Sequence, residues 1–169
     1  MKRGAKMNRI ILFLLLFLTG CSQITVEEDF KNYAQTVTGY QQEIANKMNE
    51  LQKEKITDFQ QFSKEQFLPI VKEFVDKTST LQPQTKEVAE IHEKYIEAVG
   101  LNYDVLSSIS NLDGQTTDTS KQEELLKKLE KSQQLASEWK NSMDNLSKQY
   151  NVVLPDINLD VGNAIFRLP

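Results

Sequence analysis

Two side chains with distinctive chemistry, Cys21 and His92, each occur once in the 169 residues. His92-Glu93 opens the H-E-x-x-H pattern, which places two imidazoles and a general base on one helix face around zinc. Ile96 stands where the second imidazole is needed, so the pattern supplies no metal site. His92 follows Ile91 and is expected at the edge of a core or in solvent. Asp156, Asn158 and Asp160 repeat the oxygen spacing of the first three ligands of a calcium loop. The loop's glycine falls late, at Gly162, and Arg167 replaces the closing Glu, so a solvated polar edge is the main reading and a calcium site the lesser one. There is no G-x-S-x-G elbow and no glycine-rich phosphate loop, and no spacing pairs the lone histidine with a nucleophile. The acid pairs Glu27-Glu28 and Glu123-Glu124 fall in predicted first helical turns, where negative charge suits the helix dipole. A glycosidase draws its two carboxylates from distant positions and leaves no local mark, but long exposed helices seldom form a cleft. The residues assign no catalytic group, no metal and no cofactor, and the chain reads as a non-enzyme.

Cys21 has a more specific setting. Residues 1–9 carry Lys2, Arg3, Lys6 and Arg9 without an acid, Ile10 to Leu18 is unbroken apolar sequence, and Thr19, Gly20 and Cys21 follow. A basic start, a short apolar run and a small-residue exit make a secretory signal. The run is well short of the roughly 20 residues that span a bilayer as a helix. Leu18-Thr19-Gly20-Cys21 resembles the lipobox of bacterial lipoproteins. That resemblance implies diacylglyceryl transfer to the Cys21 thiol and cleavage before Cys21. The plainer alternative is a chance cysteine at the end of an ordinary signal peptide. A single cysteine forms no intrachain disulfide, and two or three acyl chains on one residue hold a protein stably at a membrane. On this reading residues 1–20 are removed, 21–24 form a lipidated tether, and the body lies at the extracytoplasmic face of the cell membrane. Phe13 to Gly20 is also similar to the short mating pheromones that enterococci release from lipoprotein signals, which gives a side reading of the discarded piece.

The chain has 20 basic and 24 acidic residues, and loss of residues 1–20 removes four bases and no acid, leaving a net charge of −8. No basic stripe is available for a phosphate backbone, so nucleic acid is excluded as a partner. Adhesion to anionic lipid by charge is equally disfavoured, so the acyl group must do the anchoring.

The body, residues 25–151, has few helix breakers and reads as amphipathic helix throughout. Phe30, Tyr33, Val37, Tyr40, Ile44, Met48 and Leu51 step by three and four, one apolar side chain per turn. Thr25 with Glu28 forms a capping box at the start. Asp58 to Leu81 is a second segment, with Ser63 and Gln66 as a possible cap and a bend expected between Phe62 and Pro69. Thr85 to Leu112 is a third, with Gly100 read as a place for close helix contact. Asp113-Gly114 and the polar residues after it form the clearest loop. Ser120 with Glu123 is expected to cap a fourth helix, whose seam runs Leu125, Leu129, Ser132, Ala136, Trp139, Met143, Leu146 and Tyr150. Short links favour antiparallel neighbours. The expected fold is all-α: an elongated up-and-down bundle of three to four antiparallel helices. Seams this regular also suit a dimeric coiled coil, but the bulky rings favour a bundle interior. Residues 152–169 alternate at strand period and are expected to run as an extended tail packed on the bundle, or else to meet another molecule.

Residues 81–109, a Leu-Pro turn before a helix with His and Tyr near its start, loosely resemble small helical lipoproteins of Gram-positive bacteria, some described as cell-wall-binding. The leading expectation is therefore a non-enzymatic interaction module of the cell envelope, binding a protein or wall polymer near Tyr40, Phe59 and Tyr103. The alternative is a small-ligand carrier or weak enzyme with a pocket lined by Phe62, Phe74, Tyr95 and Trp139.

Overall fold

The computed structural model describes residues 24–51, 53, 57–111 and 119–154. The signal and lipobox with Leu18, Thr19, Gly20 and Cys21, the Asp113-Gly114 loop, and the tail from Pro155 with its Asp156-Asn158-Asp160 pattern lie outside the described residues.

Helix α1 is Val26–Leu51. The next rod consists of α2 (Phe59–Phe62), a π-helical turn (Ser63–Phe67) and α3 (Leu68–Ser79). Helices α4 (Lys86–Ser110) and α5 (Thr119–Tyr150) complete an all-α bundle, and no strand occurs among the described residues. The 32 residues of α5 span about 48 Å at 1.5 Å per residue.

Cross-helix contacts fix the directions. Glu43 meets Lys77 and Lys47 meets Glu73, so α1 and α3 are antiparallel. Ser63 meets Ser110 and Phe74 meets Tyr95, so the second rod and α4 are antiparallel. Lys94 pairs with Glu138 and Glu97 with Lys131, so α4 and α5 are antiparallel as well. Asp29 bonds Thr85 and Gln41 bonds Tyr95, which places α1 and α4 parallel across the diagonal. One end of the bundle thus holds the start of α1, the link from Thr80 to Thr85 and the finish of α5. The other holds the finish of α1, the start of α2, the finish of α4 and the start of α5.

The core follows the seams read from sequence. Phe30, Tyr33, Val37, Ile44 and Met48 are buried from α1, Val88, Ile91, Tyr95 and Val105 from α4, and Trp139 and Met143 from α5. The most extensive helix contact is that of α4 with α5, where the small residues Ala98 and Ser132 meet: the Ser132 hydroxyl donates to the Ala98 carbonyl at 2.9 Å. One position departs from the expected seam of α1. Gln41 is buried and Tyr40 only half-buried; the amide nitrogen of Gln41 donates to the Tyr95 hydroxyl at 2.8 Å, which offsets part of the cost of burying it.

The expected capping box forms: Glu28 N–H bonds the Thr25 hydroxyl, and the Glu28 carboxylate accepts from Thr25 N–H. Asp58, rather than Ser63, caps the second rod, accepting from Gln61 N–H at 3.0 Å. Ser63 is instead buried in the π-turn, which occupies the place where a bend is expected. Pro69 is the second residue of α3 and has no N–H, so the ladder cannot continue in α register across it. The turn closes with Leu68 N–H on the Ser63 carbonyl, one residue further back than an α bond. Ser120 lies inside α5, which starts at Thr119, and does not precede it as a cap. Nothing stands within 4 Å of a Cβ built on Gly100, so this glycine serves no close helix contact. At the finish of α5, Asn151 takes a left-handed φ of 52°, and Val152 N–H reaches back to the Ser147 carbonyl at 3.0 Å. Val152 and Leu154 then pack on the core while Val153 is 91% exposed, so the first residues of the tail lie along the bundle.

Candidate functional site

A layer of rings and amides joins all four arms of the bundle. Phe74 of α3 stands edge-on to Tyr95 of α4, with centroids 6.4 Å apart. Tyr95 stacks on Trp139 of α5 at 4.4 Å. The indole N–H of Trp139 donates to the Tyr33 hydroxyl of α1 at 3.3 Å, and Tyr33 stands edge-on to His92 of α4 at 5.5 Å. Such ring pairs add to the apolar burial of each ring. Phe62, Phe74, Tyr95 and Trp139, expected to line a ligand pocket, are all buried. Tyr95 packs against both Phe74 and Trp139, so these ring faces are used by the core itself.

The chemistry open to this layer is limited by its burial. Loss of solvation holds the Tyr33 and Tyr95 hydroxyls far above the ordinary tyrosine range, so both stay protonated and act only in hydrogen bonds. His92 is 5% exposed rather than at the core edge, because it falls four residues after Val88 and three before Tyr95, in register with the buried face. Burial lowers its pKa from 6.5, opposed by the charge of Glu93 and a hydrogen bond to the Leu81 backbone. Among the described residues, two buried side-chain atoms, Gln41 Oε1 and His92 Nδ1, have no hydrogen-bond partner.

A second constellation lies at the end where α1 begins. Asp29 is 5% exposed, and one carboxylate oxygen accepts Gln84 N–H at 2.9 Å, Thr85 N–H at 2.7 Å and the Thr85 hydroxyl at 2.7 Å. Thr85 precedes α4 but makes no side-chain cap of its own. The acid from α1 therefore holds the entry to α4, where helix dipole and backbone donors both favour negative charge. Nothing local in the sequence signals a contact spanning 56 positions.

The residues expected to form an interaction surface separate. Tyr40 lines a shallow groove, open to solvent, with Glu43, Ile44 and Lys47 from α1 and Ile70, Glu73, Phe74 and Lys77 from α3. Lys47 and Lys77 each bridge Glu43 and Glu73, closing a four-membered ring of alternating charge. These contacts lower the pKa of both glutamates and raise that of both lysines. Tyr103 is half-buried against the core and lies near Lys72. Phe59 alone of the three is exposed, at 47%, at the end opposite the start of α1. Ile109, expected on the apolar face of the third segment, and Leu126, which lies outside the expected seam of the fourth, are exposed at that same end. The described residues contain no group of three or more His, Cys, Asp or Glu able to hold a metal ion, and no helix among them is long and apolar enough to cross a membrane.

No family model, no curated protein and no solved structure matches the chain.

Proposed function

We propose that the chain is a lipid-anchored extracytoplasmic lipoprotein that serves as a non-enzymatic interaction module of the cell envelope. The observation that supports this most is the position of the first helix. Its capping box begins at Thr25, four residues after Cys21, and the Asp29 clamp follows within one turn. A thioether-linked lipid on Cys21 would hold that end of the bundle against the bilayer. The opposite end, with Phe59, Ile109 and Leu126 exposed, would then face away from it. A partner, either an envelope protein or a wall polymer, meets the module at that outward end.

The test is site-specific photocrosslinking in intact cells, with the reactive side chain at Phe59, Ile109 or Leu126, and at Lys86 on the anchored end for comparison. A discrete adduct from the outward positions and none from Lys86 is the expected result. Recovery of no partner above background at any outward position contradicts the reading.

A further inference from the structure

His92 is the only histidine of the chain and has no part in the proposed anchoring. It is buried where three segments meet: its own helix α4, the ring of Tyr33 from α1, and Leu81 in the link before α4. The Leu81 backbone lies beside the imidazole, and Nδ1 is buried without a partner. An unused acceptor on a neutral ring is a modest cost. A second N–H with positive charge and no acceptor costs far more.

No acceptor among the described residues bonds Nδ1. On α4 the nearest charge is Glu93, whose side chain is exposed. From α1 come Tyr33 and, one turn earlier, Asp29, one of whose carboxylate oxygens is committed to Gln84 and Thr85. The link from Thr80 to Thr85 contains no charged side chain. On α5, Lys140 and Asp144 pair with each other at the surface.

We propose that His92 is a proton-operated lock on the α1–α4 contact. In its neutral form it seats the edge of Tyr33, and Tyr33 in turn accepts from Trp139. In its protonated form Nδ1 requires an acceptor, the Tyr33 ring is displaced, and the end of the bundle that holds the Asp29 clamp loosens. The lock rests on packing alone and holds whether or not the chain is anchored.

The direction of the effect follows from linkage. The folded state holds the His92 pKa below 6.5, so the unfolded chain takes up the proton more readily. The stabilisation is complete above about pH 6.5 and is lost as pH falls from there toward the lower folded value. Carboxylates titrate mainly below this window, and Glu43, Glu73 and Glu138 are held lower than usual.

The chain carries its own reporter, because Trp139 is the only tryptophan and it bonds Tyr33. The experiment follows the imidazole proton resonance and Trp139 emission of the full chain in detergent micelles from pH 8 to pH 5, with melting at each pH. The expected result is an imidazole midpoint below 6.5, a change in emission at the same midpoint, and a fall in Tm of about 2–4 °C across the window. His92→Phe keeps a ring beside Tyr33 and is expected to give a flat emission profile. The lock is overturned if the imidazole titrates while emission stays constant, or if His92→Phe retains the response. Should that variant not fold, the two midpoints in the unsubstituted protein decide: coincidence supports the lock and separation overturns it.

Discussion

The two ends of the bundle are held by different means. Where α1 begins, hydrogen bonds cross between helices at the edge of a buried ring layer: Asp29 grips the entry to α4, and Trp139 is tied to Tyr33. Where α1 finishes, a buried hydroxyl pair, Ser63 with Ser110, joins the π-turn to α4, while Phe59, Ile109 and Leu126 remain exposed. Polar contacts between helices tie one end, where Val153 is exposed, and Phe59, Ile109 and Leu126 leave apolar surface at the other. That division suits a module fixed at one end and used at the other.

The sharpest way to break the contrast is to remove the centre of the first region. Trp139→Ala deletes a fully buried ring that stacks on Tyr95 and bonds Tyr33, and is expected to cost about 3–5 kcal/mol in urea unfolding. Leu126→Ser, at the opposite end and 58% exposed, is expected to stay within about 0.5 kcal/mol of the parent. Equal losses would show that the ends do not differ.

Asp29→Ala comes next. It leaves two backbone N–H groups at the entry to α4 without their acceptor, for a loss of about 1–3 kcal/mol in the same assay. Asp29→Asn keeps an acceptor oxygen and is expected to lose less.

Below the window of His92, acid sharpens the comparison further by acting on the surface ring of Glu43, Lys47, Glu73 and Lys77. Glu43 and Glu73 have depressed pKa values because Lys77 and Lys47 bond them. Their contribution is present above about pH 4.5 and is lost as pH falls through their lower folded values. These groups are exposed, so the fall in Tm between pH 5 and pH 3 is expected to be modest and to shrink in 1 M salt. The smallest effect is a gain. Gly100→Ala meets no neighbouring atom and is expected to raise stability by about 0.5–1 kcal/mol, read as an upward shift in Tm.

What the sequence made legible was whatever repeats along one helix. The three-and-four steps of α1 and α4 identified most of the buried residues, and Thr25 with Glu28 marked where the bundle begins. His92 was legible in principle from its spacing between Val88 and Tyr95, but polarity argued for the surface, and only the Tyr33 ring and the Leu81 backbone make burial tolerable. Gln41 displaced Tyr40 from the seam for a similar reason, since its partner Tyr95 lies 54 positions away. The Asp29 clamp joins residues 56 apart and left no local trace. Exposure at Ile109 was equally hidden, because a seam of apolar residues does not reveal how far its neighbours extend to cover it, whereas Leu126 already fell outside the seam of its helix.

The anchor at Cys21 is the claim on which the functional contrast between the ends depends. Metabolic labelling with a fatty acid, followed by membrane fractionation of the parent and of Cys21→Ser, tests it most directly. The account predicts label in the parent, none in the variant, and release of the variant from the membrane. An unlabelled parent, or a variant that stays equally membrane-bound, would contradict it.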